Sequence, residues 1–211
     1  MVTSISLIAC WCLASNKVEI GLFFGSFNPI HTGHLVIANV LKEATDLQQV
    51  WFVVSPQNPF KKASTLLNEY DRLRMVELAV EDNFDLRACN IEFSLPKPSY
   101  MVDTLVHLEE RYPQHQFHLL LGSDNLTHFH RWKNYQSILE YRTLYVYPRP
   151  DVAEHKIPDT VRHHPHIRRV EAPLLDISAT FIRQCLQQDL SVQYLVPDRV
   201  VDYIKDKKLY W

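Results

Sequence analysis

The sequence predicts an α/β fold, an open, mainly parallel sheet with helices on both faces, built as a single domain. Three observations carry this. Near-continuous apolar runs of strand length, rich in β-branched and aromatic residues, recur at Val18–Phe24, Gln49–Ser55 and Gln116–Leu121, the pattern of strands covered on both faces. Segments with helical spacing lie between them, starting near His34, Asn68 and Ser99. Breaks at Gly25, Pro56 and Gly122 fall just after the runs, where a parallel sheet gathers the carboxyl ends of its strands. An alternation of this kind is Rossmann-like.

At 211 residues the chain can bury one substantial core, and nothing in it demands a second domain. A net charge of -2 gives no bulk attraction to nucleic acid or to a membrane surface, so neither partner is expected and any anion site must use locally placed groups. Cys10, Cys12, Cys89 and Cys185 are too sparse for a disulfide scaffold and have no CxxC spacing, which fits a reducing, cytoplasmic setting. Residues 1–17 read as an N-terminal extension: their apolar run lacks a positive leading region and is too short to span a bilayer. The folded domain is expected over 18–211.

Val18–Phe24, a turn through Gly25, Ser26, Asn28 and Pro29, and a helix from His34 to Ala44 form the first strand, turn and helix. Gln49–Ser55 completes one parallel βαβ unit, and the PQNPFKK stretch that follows puts Lys61 and Lys62 beyond its strand end. Asn68 is placed to cap a helix to Glu81, with a strand-like run Leu86–Phe93 after it. Ser99–Arg111 reads as a helix capped by Ser99, Thr143–Tyr147 as a strand, 148–165 as a loop and Ile167–Val170 as a last short strand. Helices starting at Ala179, capped by Ser178, and at Asp198 complete the chain.

Chemistry concentrates at the first turn. A strand feeding a glycine-bearing turn and then a helix start converges backbone N–H groups and the helix dipole on one spot, which suits a phosphate. The absence of Gly-Lys-Ser/Thr and of GxGxxG excludes the two commonest phosphate loops. A second anion site is expected where Ser178, Thr180 and Arg183 meet at a helix start. Gly122 and Asp124, at the end of a strand, suit a ribose, because a carboxylate accepts from vicinal hydroxyls and glycine permits close approach.

The GxFNPxHxGH pattern, here Gly25, Phe27, Asn28, Pro29, His31, Gly33 and His34, resembles that of the nucleotidylyltransferase superfamily. The ISxTxxR pattern of Ile177, Ser178, Thr180 and Arg183 is similar to that superfamily's other hallmark. Within it, SYMVDTL at Ser99–Leu105, the GSD of Gly122–Asp124 and Trp132 resemble the bacterial nicotinate-mononucleotide adenylyltransferases, with Met101 where that family usually has Thr.

The resemblance implies transfer of AMP from ATP to nicotinate mononucleotide. It puts His31 and His34 at the α-phosphate, Arg183, Ser178 and Thr180 at the leaving pyrophosphate, and Lys61 at phosphate positioning. ATP would also meet Gly25, Ser26, Phe27, Gly33, Gly122, Asp124 and Ile177. The mononucleotide would meet Asn28, Lys61, Tyr100, Met101, Thr104 and Trp132. His31, His34, Lys61 and Arg183 are expected to supply the positive charge, with Mg²⁺ carried on ATP and no protein metal site. Adenylyl or cytidylyl transfer to nicotinamide mononucleotide or another phosphate ester stays open, as does a nucleotide-binding module without catalysis. Oligomeric state stays open between monomer and homo-oligomer.

Overall fold

The computed structural model describes residues 17–57, 66–150, 152 and 154–211. Six strands form one sheet: β1 (Val18–Gly25), β2 (Gln49–Val54), β3 (Leu86–Cys89), β4 (His115–Gly122), β5 (Leu144–Tyr147) and β6 (Ile167–Arg169). Their order is β3-β2-β1-β4-β5-β6 and every pairing is parallel. The helices are α1 (Thr32–Glu43), α2 (Glu69–Val80), α3 (Met101–Arg111), α4 (Tyr135–Tyr141), α5 (Asp159–Arg162), α6 (Ala179–Gln187) and α7 (Asp198–Asp206).

Strand alternation sorts the core into two layers. Val50, Phe52 and Val54 of β2 face a layer with Ile37 and Leu41 of α1, Met75 of α2, Ile182 of α6 and Val200 of α7. Trp51 and Val53 face the other, with Leu105 and Leu108 of α3, Ile138 of α4 and Val161 of α5. Helices therefore cover both faces, and the doubly buried strands account for the continuous apolar runs. The strand order reverses between β1 and β4, so their carboxyl ends at Gly25 and Gly122 flank the crevice where such sheets bind ligands.

Three local expectations are corrected. The run from Leu86 leaves the sheet at Cys89 and tightens into a 3-10 turn, Ile91–Ser94, with Phe93 N–H donating to Asn90 O at 2.9 Å. Burial of Ile91 and Leu95 draws the chain inward there, and the Glu92 carboxyl carried with them accepts from Thr104 Oγ1 at 2.9 Å. Helix α3 starts at Met101, with Tyr100 rather than Ser99 at its cap, and Ser99 is directed to Glu92. The stretch expected as a loop contains a 3-10 turn, Glu154–Lys156, and α5, and it is held to the core by Ile157, between the two, and by Val161 of α5, both buried. Residues 1–16, including Cys10 and Cys12, and the segment bearing Lys61 and Lys62 lie outside the described residues. No described helix is long and apolar enough to cross a membrane.

Candidate active site

The turn after β1 is held by its own backbone and by two arginines. Phe27 adopts a left-handed φ of 44°, and its buried ring lies across Gly25, where a Cβ would come 2.7 Å from Cζ. Only glycine leaves room for that ring. From below, the fully buried Arg72 of α2 donates to Ser26 O and Ser55 O, both at 2.7 Å, and to Pro56 O and Leu67 O, both at 3.0 Å. One guanidinium thus ties the carboxyl ends of β1 and β2 together. Burial lowers its pKa, and Glu69 opposes that shift.

His31 is the N-cap of α1 and His34 lies in its first turn, their rings stacked with centroids 3.6 Å apart. His34 Nδ1 accepts from the His31 backbone N–H at 3.3 Å, which leaves the proton of a neutral ring on Nε2. His31 is 5% exposed, and its Nδ1 is buried without a partner among the described residues. A Cβ at Gly33 would lie 3.1 Å from that Nδ1 and 3.6 Å from Ile177 Cβ, so the glycine admits both the ring and the second motif. Burial, reinforced by the charge of Arg149, lowers the His31 pKa to about 4. Burial therefore disfavours the charged form of the His31 ring near pH 7.

The second motif reaches this turn from the far end of the sequence. Ser178 Oγ caps α6 by accepting from the Phe181 N–H at 3.2 Å. Arg183 Nη1 donates to Asn28 O at 2.8 Å, and its Nη2 donates to Thr180 Oγ1 at 3.2 Å. Asn28 itself is buried, its Oδ1 accepting from Tyr210 Oη at 3.0 Å and from Leu67 N–H at 3.4 Å.

Beside the turn lies a cavity of about 500 Å³ whose walls include Gly25, Gly122, Asp124, Tyr100, Met101 and Trp132. Trp132 rests on Phe129 with centroids 4.9 Å apart, so it is both part of the core and a wall. Lys133 Nζ lies 4.9 Å from the Tyr100 ring and pairs with Asp103 at 2.9 Å. Thr104 departs from its expected place: it is fully buried and donates to Glu92 Oε1 at 2.9 Å, behind the wall rather than in it. Burial raises the Glu92 pKa, against the hydroxyls of Thr104, Ser55 and Ser99.

Three residues that the sequence did not single out stand at the site: Arg72, Tyr210 and Arg149. A Cβ on Gly122 would lie 2.4 Å from Asp124 Oδ1 and 2.9 Å from Arg149 Cγ, and Arg149 Nε is 4.0 Å from Asp124 Oδ1. A signal for Arg149 was present, since it follows the carboxyl end of β5. Among the described residues, no group of three or more His, Cys, Asp or Glu could hold a metal ion.

The model of the cytidylyltransferase-like family matches residues 22–185. The chain is 54% identical over 193 residues to a probable nicotinate-nucleotide adenylyltransferase of Cytophaga hutchinsonii, covering 92% of this chain and 98% of the relative. A protein of the same description from Bacteroides thetaiotaomicron is 45% identical over 194 residues, covering 91% and 93%. In fold it is similar to a Plasmodium falciparum nicotinic acid mononucleotide adenylyltransferase complexed with NaAD, with a TM-score of 0.74 at 19% identity, over 91% of this chain and 97% of that one.

Proposed function

The chain belongs to the cytidylyltransferase-like family, among the nicotinate-nucleotide adenylyltransferases, and we propose on that premise how its residues move AMP from ATP to the 5′-phosphate of nicotinate mononucleotide. The products are deamido-NAD and pyrophosphate. The observation that carries the reading is that Arg183 meets the histidine-bearing turn, through Asn28 O at 2.8 Å, at the crevice between β1 and β4. On this reading two anion-binding motifs meet at the crevice, and Gly25 of the histidine-bearing turn also lines the cavity.

The attacking group is already ionised near neutral pH, because the second pKa of a phosphate monoester is about 6. No general base is required, and transfer is direct and in line. The obstacle is repulsion between two polyanions: a unit-charge pair at 4 Å costs roughly 1 kcal/mol in water and about 4 at an effective dielectric of 20. His34, at the positive end of α1, donates from Nε2 to the α-phosphate as charge develops there. His31 contributes one hydrogen bond from a neutral, buried ring. Arg183, with Ser178 and Thr180, receives the leaving pyrophosphate, and Lys61 positions phosphate.

Gly25, Ser26, Phe27, Gly33 and Ile177 shape the ATP side, while Asp124 accepts from the ATP ribose. Tyr100, Met101 and Trp132 shape the mononucleotide side, the buried Asn28 holds the phosphate turn in place, and Thr104 acts from behind through Glu92. Mg²⁺ enters with ATP as part of the substrate. The free, buried thiols of Cys89 and Cys185 suit a reducing cytoplasm.

The test is to supply purified protein with ATP, Mg²⁺ and either nicotinate or nicotinamide mononucleotide, and to separate the products. Deamido-NAD should form much faster than NAD. Equal rates would remove the assignment to the acid, and no dinucleotide from either would remove the transfer itself.

A further inference from the structure

The last residues of the chain do something that neither hallmark motif explains. Four hydrogen bonds join the C-terminal part of the molecule to Asn28 and Thr32, which bracket His31 in the sequence. Arg183 Nη1 donates to Asn28 O at 2.8 Å and Tyr210 Oη to Asn28 Oδ1 at 3.0 Å. Thr32 N–H donates to Leu195 O at 2.9 Å, and Thr32 Oγ1 to Tyr194 O at 3.0 Å. From within the turn's own neighbourhood, Arg72 holds Ser26 and the end of β2.

Tyr210 is the unusual member of this set. Its backbone is left-handed at φ 74°, as is that of Lys208 at φ 52°, a conformation side-chain-bearing residues adopt only when their surroundings hold them in it. The half-buried ring packs against the core layer that contains Phe27 and Ile30, so the tail is docked rather than trailing. Burial raises the pKa of its phenol, so the group stays a donor over the whole working range. A donor fixed there turns the Asn28 amide with its oxygen toward Tyr210 and Leu67.

We propose that the Tyr210 hydroxyl, acting through Asn28, is a positioning group that sets where the His31 and His34 rings stand relative to the phosphate being transferred. The inference rests on the functional reading above for what the histidines do, but its structural half does not. Tyr210 touches no reacting atom. Its effect passes along Asn28, Pro29 and Ile30 to a histidine whose buried pocket depends on the turn staying closed.

Tyr210→Phe deletes the hydroxyl and keeps the ring. With the full chain, kcat for deamido-NAD formation should fall about fivefold, the size of one lost hydrogen bond, while KM for nicotinate mononucleotide stays within about twofold. The His31 ring, followed by NMR titration, should move from about 4 toward its ordinary 6.5 as the pocket loosens. In an Asn28→Ala background the same change should have no further effect on either readout. Lowered thermal stability with unchanged kcat and unchanged His31 titration would overturn the proposal, and so would a loss of kcat that persists in the Asn28→Ala background. If the wild-type protein makes no dinucleotide, the functional reading has failed, and the His31 titration still decides whether Tyr210 sets the turn.

Discussion

The two sides of the crevice are built on different principles. On the phosphate side the chain folds back on itself: Asn28 and His31 are buried, and carbonyls of the turn are held by Arg72 and Arg183. Its geometry is fixed by hydrogen bonds between segments far apart in sequence, before any substrate arrives. On the cavity side the walls are side chains such as Tyr100, 42% exposed, Trp132 and the mostly buried Glu92, with Thr104 behind them. Preorganisation belongs where charge develops, because dipoles already aimed need no reorganisation during the reaction. Recognition of a flat ring needs only contact area and a polar edge.

The sharpest way to break the phosphate side is through Arg72. Arg72→Leu leaves four carbonyls, three part-buried and one buried, without their donor, so unfolding in urea should show a loss of about 4 kcal/mol, whereas a stability change under 1 would mean that the turn stands without it.

A second test uses pH. The folded-state pKa of His31, about 4, lies below its unfolded value of 6.5. As pH falls below 6.5 the unfolded chain takes up this proton first, so stability present above 6.5 is lost progressively down to about 4 and is flat below that. The wild-type protein should therefore lose about 3 kcal/mol more than His31→Gln over that interval. Parallel curves for the two proteins would remove the claim that His31 is buried neutral.

For chemistry, His34→Ala should lower kcat more than tenfold, on the order of 1.4 kcal/mol or more, with the fold intact by circular dichroism. Near-normal turnover in the folded variant would sink that role. On the other side of the crevice the effect should be smaller and of another kind. Trp132→Leu should raise KM for the mononucleotide roughly fivefold and leave kcat nearly unchanged, since stacking serves substrate and transition state alike. A large fall in kcat there would erase the contrast between the two sides.

The same contrast explains what could be read from the sequence. The strands were legible because burial on both faces writes a continuous apolar run, and the two motifs because each is local: His31 and His34 share one helix start, as do Ser178, Thr180 and Arg183. Arg72 was not legible, since an arginine in an amphipathic helix looks like any exposed one until the carbonyls of Ser26 and Ser55 are brought around it. Tyr210 and Glu92 were hidden for the same reason, their partners Asn28 and Thr104 being fixed by tertiary packing. The resemblance put Thr104 at the mononucleotide, whereas the helix turns it inward. The lowered pKa of His31 could not be read either, because the burial that causes it has no local signature.

The central claim is a single direct transfer across the crevice, with the histidine turn on the α-phosphate and no covalent enzyme intermediate. The most direct measurement is the stereochemical course at the α-phosphorus, using an ATP analogue with one α-oxygen replaced by sulfur and nicotinate mononucleotide as acceptor. One in-line displacement predicts inversion in the deamido-NAD formed. Retention would require two displacements through an adenylylated residue and would contradict the account.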